Sequence, residues 1–176
     1  MGVQTDLGYS IPHAGFLRRL VQRFGSTRAG TATLSRTLRP LDRLVYRLTK
    51  GRATVAGLLG GFPIIMLTTT GARSHEPRTN PLTAIPFGDD LAVIGANYGL
   101  GVIPSWTYNL RAHPDATLAY QNTVVRVVAK EVTGQNAETV FAAAFEIYPG
   151  YAVYRDRFKE PIPAFVLEAI GPPNSV

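Results

Sequence analysis

Cysteine is absent from the 176-residue chain, so the protein has no disulfide, no thiolate metal site and no thiol redox step of its own. Any electron transfer must then come from a bound cofactor. Histidine is scarce: His13, His75 and His113 stand far apart, no HxxxH or HExxH occurs, and no metal site is expected. Ser74 and His75 are neighbours, but they sit in RSH rather than GxSxG, so a nucleophile elbow is excluded. The opening stretch MGVQTDLGYSIPHAG has neither a basic start nor an apolar run, and export is not expected. One uncharged stretch, 53–72, is long enough to cross a bilayer. Gly57, Gly60, Gly61 and Pro63 interrupt it and three threonines end it, which suits a short apolar helix followed by a strand better.

A hydrophobic share of 45% is enough for one buried core. The net charge of +6 is local. Residues 14–50 hold nine basic side chains against Asp42 alone, a net +8, which leaves −2 for the rest of the chain. Such a segment points to an anionic surface or to cofactor phosphates. It has few aromatics and no nucleic-acid-binding signature, so no nucleic-acid partner is expected.

Phe16, Leu17, Leu20, Val21 and Phe24 recur at helical spacing, as do Leu34, Leu38, Leu41, Val45 and Leu48. In the second set Arg36, Arg39, Arg43, Arg47 and Lys50 form a basic stripe. Residues 1–60 therefore read as an amphipathic helical extension, and 61–176 as the main domain. From Phe62 onward short β-rich runs are predicted at 64–70, 79–87, 91–96, 116–120, 124–132 and 164–169, with hairpin turns at Gly88-Asp89-Asp90 and Gln121-Asn122. Pro104 opens a helix that stops before Pro114, and a further helix from about Ala137 to Tyr148 restarts near Tyr151. The fold class is α+β, mainly antiparallel β, with about six strands forming a partly open barrel.

Three clusters could carry chemistry. The first, Thr68 to Arg78, offers glycine backbone, hydroxyls and the guanidinium groups of Arg73 and Arg78 to phosphate or carboxylate oxygens; a solvated hairpin is an equal reading. The second, Gly95 to Gly101, has three glycines that permit close backbone approach, and Trp106 follows in the next helix, where it could stack on a flat ring or pack in the core. In the third, Tyr151 and Tyr154 share a helix face beside Tyr148. Their phenols could line a pocket for a planar substrate and bond an oxygen gaining charge, or serve as half-buried packing.

Taken together, LTTTGARSHEPRTNPL, IPSWTYNLRAHPDA and IYPGYAVYRDR resemble the deazaflavin (coenzyme F-420)-dependent nitroreductase family over about 61–171, and PLDRLVYRLTKG followed by AGLLGG resembles the N-terminal part of many members. The resemblance implies a split β-barrel holding the deazaflavin in a groove. It places Arg73, Ser74, Pro77 and Arg78 near the cofactor's phosphate tail or ring edge, and Ala96, Asn97, Tyr98 and Gly99 as a backbone-rich wall. Pro104, Ser105 and Trp106 would lie beside the deazaflavin, with Tyr148, Tyr151 and Tyr154 lining the acceptor pocket as the catalytic candidates. The implied reaction is hydride transfer to a quinone, nitroaromatic or activated alkene. A cytoplasmic enzyme follows, with residues 14–50 either in peripheral contact with the inner face of the membrane or packed over the barrel.

The chain departs from the family's usual TGRKSG or TGRRSG. Ala72 replaces a basic residue, His75 a glycine, and Ala96 a common serine, while Asn97 stands where some members have lysine. Each change removes or moves a donor toward an anionic cofactor. Two alternatives follow: a non-catalytic protein binding a fatty acid, lipid or flavin in the same groove, and an FMN-using oxidase.

Overall fold

The computed structural model describes residues 2–11, 63–148, 150–172 and 174–175. A short helix, α1 (Val3–Leu7), precedes β1 (Ile64–Thr70), β2 (Pro77–Thr83), β3 (Ile85–Phe87) and β4 (Asp90–Ile94). A 3₁₀ turn at Asn97–Gly99 leads to α2 (Ser105–Ala112), then β5 (Asp115–Tyr120), β6 (Thr123–Val132), α3 (Gly134–Ile147), α4 (Gly150–Arg155), β7 (Ala164–Ala169) and β8 (Asn174–Ser175). All pairings are antiparallel, in the order β2-β1-β5-β6-β7-β4-β3, and β8 adds to β6.

The strand order forces the curl. β2 and β3 lie at opposite ends of this order, yet only Ala84 separates them in the chain. The two ends must therefore come together at Ala84, which rolls the sheet into a split barrel. A buried phenol marks this seam: Tyr9 Oη lies 2.8 Å from the Ala84 carbonyl oxygen and 3.1 Å from that of Pro63, donating its one proton there.

Alternation along the strands divides the apolar residues between two cores. Ile65, Leu67, Leu91, Val93, Phe165 and Leu167 point into the barrel with Trp106 and Leu110 of α2. Their neighbours Ala92, Ile94, Ala164 and Val166 face outward, where Val140, Phe141 and Ala144 of α3 and Tyr154 of α4 cover them. One strand set thus fixes both the barrel and the platform beneath the tyrosines.

The antiparallel split barrel expected from the sequence is present. The single run expected at 79–87 is two strands, because at Ala84 the chain leaves β1 and joins β4. The boundary at residue 60 does not hold for the first residues: Val3, Leu7 and Tyr9 belong to the barrel's inner core, and α1 packs on β4, β6 and β7. Five helical residues without an apolar repeat give no sequence signal of this docking. The two helices expected within 14–50, and the stretch 53–62, lie outside the described residues. Among those described, no helix is long and apolar enough to cross a membrane.

Candidate active site

The loop from Gly71 to Glu76 joins β1 to β2. It is closed by Gly71 N–H donating to Glu76 O and His75 N–H donating to Gly71 O, both at 2.9 Å. His75 takes φ 56°, the left-handed conformation a glycine would adopt freely, so histidine here accepts backbone strain. Arg73, Ser74, His75, Pro77 and Arg78 are all exposed. Two guanidinium groups therefore stand open to solvent beside a tight backbone loop.

Asn109 of α2 holds this loop from beneath, a role sequence reasoning missed. Its Oδ1 accepts from Ala72 N–H at 3.0 Å, and its Nδ2 donates to Thr69 Oγ1 at 3.0 Å. The Thr69 hydroxyl in turn donates to Arg78 O at 3.4 Å. Asn109 and Thr107 are the two polar residues on the buried face of α2, and their partners lie too far away in sequence for any local spacing to point to them. The fold also brings His75 and His113 to 5.1 Å between ring centroids. No third ligand joins them: among the described residues no group of three metal-binding side chains exists.

The second cluster follows β4. Ala96 is 3% exposed and contributes backbone rather than an accessible side chain. Asn97, at φ 42°, opens the 3₁₀ turn that includes Tyr98 and Gly99, and its Nδ2 donates to Val102 O at 3.1 Å. Pro104 is the N-cap of α2, where Thr107 Oγ1 donates to its carbonyl at 2.8 Å; Ser105 is exposed. Trp106 is 3% exposed and packs on Phe165 with centroids 6.0 Å apart, so its indole belongs to the core reading. The same helix places Thr107 against Gly95 and Asn109 against Ala72, and so carries both loops on one rigid base.

Tyr148, Tyr151 and Tyr154 form a three-ring cluster with centroids 5.8 to 5.9 Å apart. Tyr148 and Tyr154 share a hydrogen bond of 3.3 Å between hydroxyls. Burial raises the Tyr148 pKa above its ordinary value, opposed by the Tyr154 hydrogen bond and, more weakly, by the Arg157 charge. Two glycines shape the cluster: a Cβ at Gly99 would overlap the Tyr154 ring, and one at Gly150 would overlap the Tyr148 ring. The Gly99 contact joins the second cluster to the third. Arg157, just beyond the tyrosine motif, donates from Nη1 to Gly99 O at 3.3 Å.

A split barrel carrying two backbone-rich loops on one helix, beside a tyrosine cluster, has the fold of the deazaflavin-dependent reductases. The family described as F420H(2)-dependent quinone reductase matches residues 40–169, and the chain belongs to that family. An F420H(2)-dependent quinone reductase of Mycobacterium tuberculosis is 32% identical over 132 residues, covering 72% of this chain and 87% of that protein. The solved structure of an F420-H2 dependent reductase, FDR-A, is 33% identical with a TM-score of 0.56, covering 60% of this chain and 94% of its own. Another solved structure, described as a domain-swapped dimer, is 29% identical with a TM-score of 0.57, covering 72% of this chain and 95% of its own. The chain is thus an F-420-dependent reductase acting on a small-molecule acceptor, with coenzyme F-420 as its cofactor. This outcome favours the enzyme over the non-catalytic binder and the deazaflavin over FMN.

Proposed function

We propose that the protein transfers a hydride from reduced F-420 to a planar, lipophilic acceptor, with quinones as the principal class and nitroaromatics or activated alkenes as secondary ones. The observation that carries this reading is the tyrosine cluster set against the Gly99 turn: three mutually tilted phenol rings bring apolar ring surface and hydroxyl groups together at that turn. The catalogue of relatives named as quinone reductases supports the acceptor class.

The donor set fits an anionic deazaflavin. Arg73 and Arg78 present exposed guanidinium groups, with Ser74 and Pro77 between them, to the phosphate-bearing tail or ring edge. Ala96, Asn97, Tyr98 and Gly99 supply a backbone wall, and Pro104, Ser105 and Trp106 form the first turn of the supporting helix. The loss of a basic residue at 72 leaves the tail fewer charged partners. When bound, the reduced deazaflavin supplies the hydride from its C5.

The chain's own chemistry is orientation and protonation. Tyr148, Tyr151 and Tyr154 hold the acceptor ring, and Tyr148, like any phenol, carries its proton at neutral pH. Tyr151, half-buried, stands as the second proton donor candidate. The basic stretch at 14–50 provides peripheral contact with an anionic membrane, where lipophilic quinones reside.

Fluorescence titration with oxidised and reduced F-420, followed by turnover with a naphthoquinone, tests the reading. Saturable coenzyme binding with quinone-dependent reoxidation supports it; binding without reoxidation by any quinone overturns the acceptor assignment. Tyr151→Phe is expected to lower kcat with little change in coenzyme affinity. Sedimentation with anionic liposomes checks the membrane contact, which fails if binding does not depend on anionic lipid.

A further inference from the structure

Arg157 has a guanidinium group only partly used by the fold. Nη1 donates to Gly99 O at 3.3 Å, and the guanidinium carbon sits 5.7 Å from the centroid of the Tyr154 ring. Its carbonyl oxygen crowds Gly101, where an added Cβ would come within 2.8 Å. The residue is therefore pinned to both the 97–101 turn and the tyrosine helix. Yet Nε and Nη2 are buried and meet no hydrogen-bond acceptor.

Together those two nitrogens carry three N–H bonds, two of them parallel along one edge of a planar cation. A guanidinium does not lose its charge inside a protein, so burial with donors unspent is a standing cost. The ion pairs among the described residues do not relieve it: Arg111 pairs with Glu131, Lys130 with Glu168, and neighbouring Arg155 with Glu138. An acceptor oxygen brought by a ligand would use these donors, and the adjacent tyrosines are the surface proposed to seat a planar one. The positive charge also acts on Tyr148, where it favours release of the phenol proton.

We propose that Arg157 is a substrate-binding residue whose Nε–Nη2 edge takes a carbonyl oxygen of the quinone and holds the negative charge that develops there. The assignment rests on the reductase reading above. In the step, the quinone ring gains a hydride and the reduced deazaflavin is left oxidised. The electron pair displaced toward the quinone's oxygen makes an oxyanion, which Arg157 stabilises until a proton arrives from Tyr148 or water. Tyr148, if it donates, regains its proton from solvent.

The test compares the full-length protein with Arg157→Met and Arg157→Lys. Two probes are used: 2-hydroxy-1,4-naphthoquinone, an anion at neutral pH, and neutral 1,4-naphthoquinone. Binding is followed by quenching of protein fluorescence, with and without saturating oxidised coenzyme, and coenzyme affinity is measured separately. The native chain is expected to prefer the anion by about tenfold or more, the methionine variant to lose that preference, and the lysine variant to retain part of it. Turnover with 1,4-naphthoquinone should fall about 10- to 100-fold in the methionine variant while coenzyme affinity stays within about twofold. Equal preference in the native and methionine proteins overturns the proposal, as does loss of coenzyme affinity instead of probe affinity. If the methionine variant does not fold, the lysine variant decides: undiminished anion preference and turnover overturn the proposal. A native chain that prefers the anion but binds no coenzyme would fail the reductase reading while leaving the Arg157 anion site standing.

Discussion

Asn109 Nδ2 donates to Thr69 Oγ1 at 3.0 Å, tying the helix at the barrel's end to the last residues of β1. The other end of the same amide accepts from Ala72 N–H, so one side chain fixes both the strand end and the start of the arginine loop. Both amide ends have their complementary partner, which also sets which way the Asn109 amide is turned.

Asn109→Ala removes both contacts and leaves the Ala72 amide without its partner. The expected loss is about 1–3 kcal/mol of stability, which lowers Tm by roughly 3–10 °C. Because the loop carries Arg73 and Ser74, coenzyme affinity should weaken by about tenfold. Calorimetry and fluorescence titration together check this. A fall in Tm with unchanged coenzyme affinity would mean that the amide supports the fold without ordering the loop.

The barrel was legible because strands such as β4 and β7 are short, nearly continuous apolar runs, whose successive positions feed the inner and outer cores in turn. The break at Ala84 was not, since 79–87 reads as one extended run and only pairing with strands distant in sequence divides it. The docking of residues 2–11 was equally hidden, resting on three side chains, one of them a phenol aimed at carbonyls 54 and 75 positions away. In the site, the loops and the tyrosine cluster carried local signals of glycine and aromatic spacing. Asn109 and Arg157 act through long-range contacts, which no local spacing encodes. His75 illustrates a third case: it adopts the left-handed conformation, which its residue type does not announce.

Gly99→Ala tests the contact between the second and third clusters. The residue has φ 68°, and a methyl group there would overlap Tyr154. Left-handed strain of about 1–2 kcal/mol adds to overpacking of about 1–3 kcal/mol, so a loss of about 2–5 kcal/mol is expected by urea denaturation. Introducing the alanine into Tyr154→Ala should cost only the backbone part, because the ring is gone. A cycle with no coupling between the two positions would show that the ring does not press on this turn.

Tyr9→Phe probes the barrel seam. Losing the hydroxyl leaves the buried carbonyls of Ala84 and Pro63 without this donor, at a cost of about 1–2 kcal/mol at neutral pH. Burial raises the Tyr9 pKa well above the ordinary tyrosine value, with the Ala84 hydrogen bond a smaller effect. Above about pH 10 the unfolded chain releases this proton while the folded chain keeps it, so stability falls as pH rises through that range. The phenylalanine variant, less stable at neutral pH, should lose stability more gradually on the alkaline side. Parallel slopes for the two proteins in alkaline melting curves would remove Tyr9 as the group responsible.

Arg73→Ala and Arg78→Ala address the anionic tail of the coenzyme. Both guanidinium groups are exposed, so their contacts with a phosphate are screened by salt, and each substitution should weaken coenzyme binding by about three- to tenfold at low ionic strength. The loss should shrink as salt is raised, because the native protein's electrostatic advantage shrinks with it. Stability should change little, since no ion pair among the described residues uses either side chain. A loss of affinity that is the same at low and high salt would assign the loop a shape-fitting role rather than a charge-binding one, and the tail would then have to find its cationic partners elsewhere on the chain.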